Sequence, residues 1–133
     1  MKQDCERIFI ELISPYLSAT AIAKAYRKDD WHEVFKEATA LRMETALAGD
    51  KIRLLYPTAQ IETGFYDKLN RISDNTNQLI ETAVKAEHDI MKGEKLPSPE
   101  LSSEAFLKIA EIQNDLRSII IDSVCTCEMK SET

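Results

Sequence analysis

The sequence predicts an all-α protein, folded as an antiparallel up-down four-helix bundle. Its 133 residues include only three glycines and four prolines, and these lie almost wholly between long uninterrupted stretches. Within those stretches apolar residues recur every three or four positions, which is the period of an amphipathic helix. A chain of this length suits one domain with a single core, so we assign residues 1–133 to one helical-bundle domain.

The first helix is predicted over residues 2–28. Its apolar positions follow one another at intervals of four and three, the heptad spacing that places them on one stripe. Pro15 lacks the N–H group that would bond the carbonyl of Glu11, so we expect a kink near Pro15 or a restart with Ser14 as N-cap. The predicted buried stripe is Cys5, Phe9, Leu12, Tyr16, Ala19, Ala23 and Tyr26.

The second helix is predicted over residues 30–56. Asp30 is the expected N-cap, because Glu33 follows it at the spacing of a capping box. A helix could end at Gly49, since glycine often caps the end of a helix. The apolar row keeps its phase beyond Gly49, however, so we expect the helix to continue to residue 56 and Pro57 to stop it. The predicted buried row is Trp31, Phe35, Ala38, Leu41, Thr45, Ala48, Ile52 and Leu55.

The third helix is predicted over residues 58–92, and Gly93 ends it. We expect a bend at residues 63–64 or at residues 73–77, because glycine and short polar side chains compete with regular helix geometry. Its predicted buried row is Ile61, Phe65, Leu69, Ile72, Thr76, Leu79, Ala83, Ala86 and Ile90.

The fourth helix is predicted over residues 102–127, with Ser102 as its cap. Two prolines mark residues 93–101 as a linker, and residues 128–133 form a frayed polar tail. The predicted buried row is Phe106, Ile109, Gln113, Leu116, Ile120 and Val124.

The short connections between successive helices require neighbouring helices to run antiparallel. Helix 1 therefore begins, and helix 4 ends, at one end of the bundle, which we call the lower end. The opposite, upper end holds the beginning of helix 2 and the end of helix 3.

The charge balance argues against nucleic-acid binding. Acidic side chains outnumber basic ones by 23 to 17, giving a formal charge of −6, whereas a phosphate-binding protein needs clustered lysine and arginine. No run reaches the roughly 18 apolar residues needed to cross a bilayer, and residues 1–6 lack the layout of a signal peptide. We expect a cytoplasmic protein without nucleic-acid or membrane partners.

The metal-ligating residue types are divided between the two ends of the predicted bundle. Cys5, Cys125 and Cys127 fall at the lower end, and His32 and His88 fall at the upper end. A mixed cysteine and histidine zinc site is therefore excluded by this topology, and the histidines lack the Glu-x-x-His pairs of a di-iron bundle. We predict no metal site, no catalytic residues and no cofactor.

Histidine phosphotransfer domains resemble this chain in size, acidity and helical content. In those domains a lysine and a glycine closely follow the phosphorylated histidine, whereas His32 is followed by Glu33, Val34, Phe35 and Lys36 with no glycine. The paired acidic motifs of helical nucleotide pyrophosphohydrolases and the inward cations of helical chorismate mutases are likewise unmatched. The residues thus identify no family.

An apolar surplus is predicted at the lower end. Helices 1 and 4 carry runs of three consecutive apolar residues there, which span more of a helix than one core-facing stripe uses. Contiguous exposed apolar area usually marks an interface, most often of a symmetric homodimer, although kinking at Pro15 or a tucked tail would also cover it. The predicted interface residues are Ile10, Ile13, Leu54 and Ile121.

A polar layer is predicted near the middle of the bundle. Tyr16, Thr45, Thr76 and Gln113 fall on the predicted buried rows at comparable heights. Such a layer either lines a small-ligand pocket between helices or fixes their register through satisfied hydrogen bonds, and we favour register.

Two functions remain open. The first is a non-enzymatic, homo-oligomeric interaction module that docks a protein partner through the apolar lower end. The alternative is a bundle that binds a small molecule or metal, as a sensor or enzyme, at the mid-core polar layer or at the end holding His32 and His88.

Overall fold

The computed structural model describes residues 2–55, 63–93 and 96–131, and within them the side chains of residues 6–54, 64–93 and 96–121. Over these ranges the chain forms four α-helices. They are α1 (Lys2–Arg27), α2 (Trp31–Leu55), α3 (Thr63–Met91) and α4 (Pro99–Ser131). The predicted all-α four-helix architecture is confirmed.

The four helices form a closed ring. Each packs against the helix that follows it in sequence, and α4 closes the ring by packing against α1. Cross-helix contacts between α1 and α2 fix their register, because Ser18 donates a 2.7 Å hydrogen bond to Glu44 and Lys51 lies 3.5 Å from Glu11. The residue numbers rise along one helix as they fall along the other, so the two helices are antiparallel.

The core lies along the axis of this ring. It consists mainly of aliphatic side chains from all four helices, with Trp31 closing it at the upper end. Burying each large apolar side chain contributes about 1.5–3 kcal/mol, so these residues supply most of the driving force for folding. The largest fully buried apolar side chains are Trp31, Leu12, Ile22, Leu41, Ile52, Ile72, Leu79, Ile112, Leu116, Ile119 and Val34.

The turn between α1 and α2 consists of residues 28–30. Asp29 has a left-handed backbone (φ 55°), and the N–H groups of Asp29 and Asp30 donate to the carbonyls of Tyr26 and Ala25. This is the Schellman pattern that ends a helix. Asp30 then caps α2, since its side chain accepts a 3.1 Å hydrogen bond from the N–H of Glu33. The predicted N-cap is confirmed.

Helix α1 continues unbroken across Pro15, so the predicted alternative of a restart at Ser14 is wrong. The buried stripe also differs from the predicted one. Phe9 and Tyr16 are exposed, and their place in the core is taken by Ile8 and by Pro15 itself. A helix that is apolar on several sides can be rotated without losing apolar contacts, so the spacing alone does not fix its phase.

Helix α4 begins three residues earlier than predicted. Ser98 is its cap, because the Ser98 hydroxyl accepts a hydrogen bond from the N–H of Leu101 and its carbonyl accepts one from Ser102. Pro99 then occupies the first turn, where a missing N–H costs nothing. The predicted cap at Ser102 is therefore wrong, and the backbone of α4 remains helical to Ser131, beyond the predicted end.

Helix α3 runs through residues 73–77 as one helix, and residues 63–64 form its first turn. The predicted start at residue 58 lies outside the described residues. Gly93 ends the helix with a positive φ of 95°, as the sequence predicted. Gly49 is buried inside α2, which continues past it to Leu55.

Candidate functional site

The outward side of α1 carries large apolar side chains where a solvated helix would carry charges. Ile10 is 59% exposed and Leu17 is 61% exposed, and Phe9, Ile13 and Tyr16 are also exposed. From residue 8 to residue 23 the only charged side chain is Glu11. That carboxylate faces α2, where it pairs with Lys51.

Helix α2 extends this apolar surface beside α1. Met43, Leu47 and Leu54 are all more than half exposed. Leu47 follows Glu44 by three residues and precedes Lys51 by four, so it lies on the side of α2 that borders α1. The register set by Ser18 and Glu44 places Leu47 level with Pro15.

We call this surface the α1 face. It combines the exposed apolar side chains of α1 and α2 into one strip that runs from the lower end to mid-bundle. Helix α3, diagonally opposite, includes no large exposed apolar side chain over residues 64–83, and its exposed ones, Val84, Ile90 and Met91, lie toward the upper end. The α1 face consists of Phe9, Ile10, Ile13, Tyr16, Leu17, Met43, Leu47 and Leu54.

The four predicted interface residues are all exposed in the structure. Ile10, Ile13 and Leu54 belong to the α1 face, whereas Ile121 lies on α4 at the lower end. Their role as an interface stays a prediction. The sequence prediction missed Leu17, Met43 and Leu47, although the nearly uncharged run of residues 8–23 was a signal for Leu17.

Within the described part of the chain, one helical segment, Glu6–Arg27, is long and apolar enough to cross a bilayer by length and composition alone. This differs from the expectation that no segment meets such a criterion. The core helix of a soluble bundle passes the same test, and 44% of the qualifying window is buried against the other helices. The absence of a membrane partner stays a prediction.

The predicted polar layer is only partly assembled. Thr45 and Thr76 are buried, Gln113 is half-buried, and Tyr16 is 40% exposed on the outside of α1. The Thr76 hydroxyl donates to the carbonyl of Ile72 in its own helix, and the Thr45 hydroxyl has no protein partner. The two threonines sit in the core, but Tyr16 cannot share a pocket with them, so the four-residue layer is wrong at that position.

The histidine end contains a shallow, open depression of about 310 Å³. His32 Nδ1 lies 3.3 Å from Glu87 Oε1, within ion-pair distance but without the geometry of a hydrogen bond. The indole N–H of Trp31 is buried there without a protein partner. The depression is lined by Asp29, Asp30, Trp31, His32, Glu87, Ile90 and Met91, whereas His88 is exposed outside it.

No group of three or more histidine, cysteine, aspartate or glutamate side chains among the described residues is placed to hold a metal ion. The side chains of Cys5, Cys125 and Cys127 lie outside the described residues.

Helix α2 carries one titratable group with a shifted pKa, Glu37. Burial raises the pKa of Glu37, and a hydrogen bond and like charge from Glu33, one turn earlier, raise it further. Lys36 opposes this shift, and Glu44 adds to it. The group has no partner that would use its proton in a reaction, so we treat it as a structural feature of α2.

Comparison with known proteins adds no further assignment: no protein-family model, no curated protein and no solved structure matches this chain.

Proposed function

We propose that this bundle is a non-enzymatic interaction module that docks a protein through the α1 face. The observation that carries the proposal is the outward side of α1, where apolar side chains stand at positions that could be charged without disturbing the core. Five large side chains of α1 are involved, and two of them, Ile10 and Leu17, are more than half exposed.

The distribution of charge supports a protein partner. The side of α3 that faces solvent, diagonally opposite α1, is charged along much of its length, with Arg71, Glu81 and Lys85 exposed. The α1 face has neither such charged side chains nor the basic residues that would attract an anionic surface. Covering such a face removes apolar area from water, which stabilises a complex by about 25 cal/mol for each Å² covered.

Site-specific photo-crosslinking in cells tests the proposal. The photoreactive amino acid benzoylphenylalanine would replace Leu17 in one version of the chain and Val84 in another. Val84 is a matched control, because it is 50% exposed but lies on α3, which is diagonal to α1. We expect discrete protein adducts from position 17 and none from position 84.

A second pair of variants separates docking from folding. Leu17→Asp should remove the adducts formed from a probe at Ile13, while Val84→Asp should leave them unchanged. Both variants should keep their helical circular dichroism, since both side chains are outside the core. Equal adducts from positions 17 and 84, or none from either, would contradict the proposal.

A small-molecule site at the histidine end is a second candidate function. One observation favours it: Glu87, whose side chain lines the depression, has a carboxylate oxygen, Oε1, that is buried without a hydrogen-bond partner. Leaving such an oxygen without a hydrogen bond costs about 1–3 kcal/mol, which a hydrogen-bond donor on a ligand would recover. The three carboxylates around the depression, those of Asp29, Asp30 and Glu87, suit a small amine.

Thermal-shift measurements with small primary amines test this candidate. A ligand should raise the melting temperature of the wild-type chain but not that of Glu87→Gln, whereas His88→Ala should respond like wild type. If none of the tested ligands shifts the melting temperature, the second candidate function is wrong, and the interaction-module proposal is unaffected.

A further inference from the structure

We propose that the α1 face docks a second copy of this chain, with the two α1 helices packed antiparallel about a two-fold axis level with Pro15. The proposal rests on the proposed function, since it names the partner of the same surface. It is carried by the order of residues along the outward side of α1.

Six exposed residues of α1 form a second heptad stripe, separate from the buried one. They follow one another at intervals of four, three, four, three and four, which keeps them on one side of the helix. Such spacing lets two helices pack along a common seam. The stripe consists of Glu6, Ile10, Ile13, Leu17, Thr20 and Lys24.

The spacing of this stripe is the same when read from either end. A second stripe running in the opposite direction therefore meets it residue by residue. Ile13 then faces Leu17 of the other copy, and Ile10 faces Thr20, so that a large side chain lies opposite a small one. The midpoint of these pairs falls at Pro15.

The charges at the two ends of the stripe select the antiparallel direction. Glu6 begins the stripe and Lys24 ends it, and both are exposed. In the antiparallel arrangement each Glu6 faces Lys24 of the other copy, giving two opposite-charge pairs. In a parallel arrangement Glu6 would face Glu6 and Lys24 would face Lys24, and both contacts would be repulsive.

Helix α2 fits the same two-fold axis. The two-fold axis lies between the two copies and is perpendicular to α1. It therefore places α2 of one copy opposite α2 of the other. Because Leu47 is level with Pro15, it lies at the height of the proposed axis, and the two-fold symmetry would place it opposite Leu47 of the other copy. Leu47 is 56% exposed, so its side chain is available for this contact.

Sedimentation equilibrium of the full chain, with charge-reversed variants, tests the proposal. Wild type should form a dimer. Glu6→Lys alone, and Lys24→Glu alone, should each weaken dimerisation roughly tenfold, because two opposite-charge pairs become repulsive. An equimolar mixture of the two variants should dimerise as well as wild type, since every pair is again of opposite charge.

The control is Glu81→Lys, which makes the same charge change on α3 and should leave dimerisation unchanged. A mixture of Glu6→Lys with wild type that dimerises more tightly than wild type would indicate the parallel arrangement and overturn the proposal. A wild-type chain that stays monomeric at millimolar concentration would also overturn it.

The failures of the two proposals are distinguishable. If the chain is monomeric but still forms adducts with another protein from position 17, only the homodimer proposal is contradicted and the interaction-module proposal stands. If the chain is monomeric, forms no adducts and floats with phosphatidylcholine vesicles through α1, both proposals are contradicted.

Discussion

Asp29 holds a backbone conformation that is uncommon for any residue except glycine. Its φ of 55° is imposed by the hydrogen bonds that end α1. For a residue with a Cβ atom this region costs about 1–2 kcal/mol, and aspartate tolerates it better than most. The short turn between α1 and α2 therefore stores a small amount of strain.

We predict that Asp29→Gly stabilises the bundle by about 1 kcal/mol, since glycine adopts this conformation without a steric penalty. Urea unfolding measured by circular dichroism would show a higher midpoint. Asp29→Ala is the matched variant, and it should give no gain because its Cβ atom keeps the penalty. A gain of the same size in both variants would point to the removed charge instead.

Glu37 makes stability depend on pH. Its pKa is raised in the folded chain, chiefly by burial and then by Glu33, so the folded state holds this proton to higher pH than the unfolded state does. The stabilising effect of the protonated form is complete below the unfolded pKa and is lost as pH rises through the folded pKa. At neutral pH the Glu37 carboxylate is therefore destabilising.

We predict that Glu37→Gln raises the melting temperature at pH 7 and that this advantage disappears below about pH 4, where glutamate is itself protonated. Melting curves at several pH values would measure the difference between the two chains. A difference that stays constant across this range would exclude a titration effect.

At the scale of the helix, α2 contains a glycine where a better helix former fits. Gly49 is buried, and a Cβ atom built on it would lie 3.7 Å from Leu69 Cδ1 of α3, an ordinary contact distance. Glycine inside a helix costs about 1 kcal/mol relative to alanine. Gly49→Ala should therefore raise the free energy of unfolding by about that amount in urea titrations.

A larger residue provides the comparison at this site. Gly49→Leu should lower stability, because its additional atoms would meet Leu69 and force the two helices apart. If Gly49→Ala also lowers stability, then α2 and α3 pack too closely there to accept a methyl group.

The helices differ in how well the sequence predicts them. The start of α2 is correct because Asp30 and Glu33 form a local signal that needs no tertiary contact. The start of α4 is wrong because two prolines indicate a linker, whereas one of them suits the first turn of a helix capped by Ser98. The predicted buried row of α3 is correct from Phe65 to Ala86, since the outer side there is largely charged or polar, but Ile90 is exposed. Helix α1 is apolar on several sides, and its phase depends on its neighbours.

At the scale of the whole molecule, the order and directions of the helices follow from the short connections. The candidate site is less predictable. Exposure of Ile10 and Leu54 could be expected from consecutive apolar residues, which exceed one core-facing stripe. Leu47 could not, because its place beside α1 depends on the register set by Ser18 and Glu44.

A dimer would make thermal stability depend on protein concentration. We predict that the melting temperature of wild type rises as the concentration increases, since association stabilises the folded state by mass action. Leu17→Asp should melt at one temperature over the same range. Scanning calorimetry over a hundredfold range of concentration would measure both, and a constant melting temperature for wild type would contradict the prediction.

The turn at Asp29 and Asp30 also bears on how the chain folds. Because Asp30 both completes the end of α1 and caps α2, bringing these two helices together requires closing almost no loop. Closing a short loop loses little entropy, and contacts between residues near in sequence form quickly. The α1 and α2 hairpin is therefore expected to form early, so its outer apolar strip would exist before the ring of helices has closed.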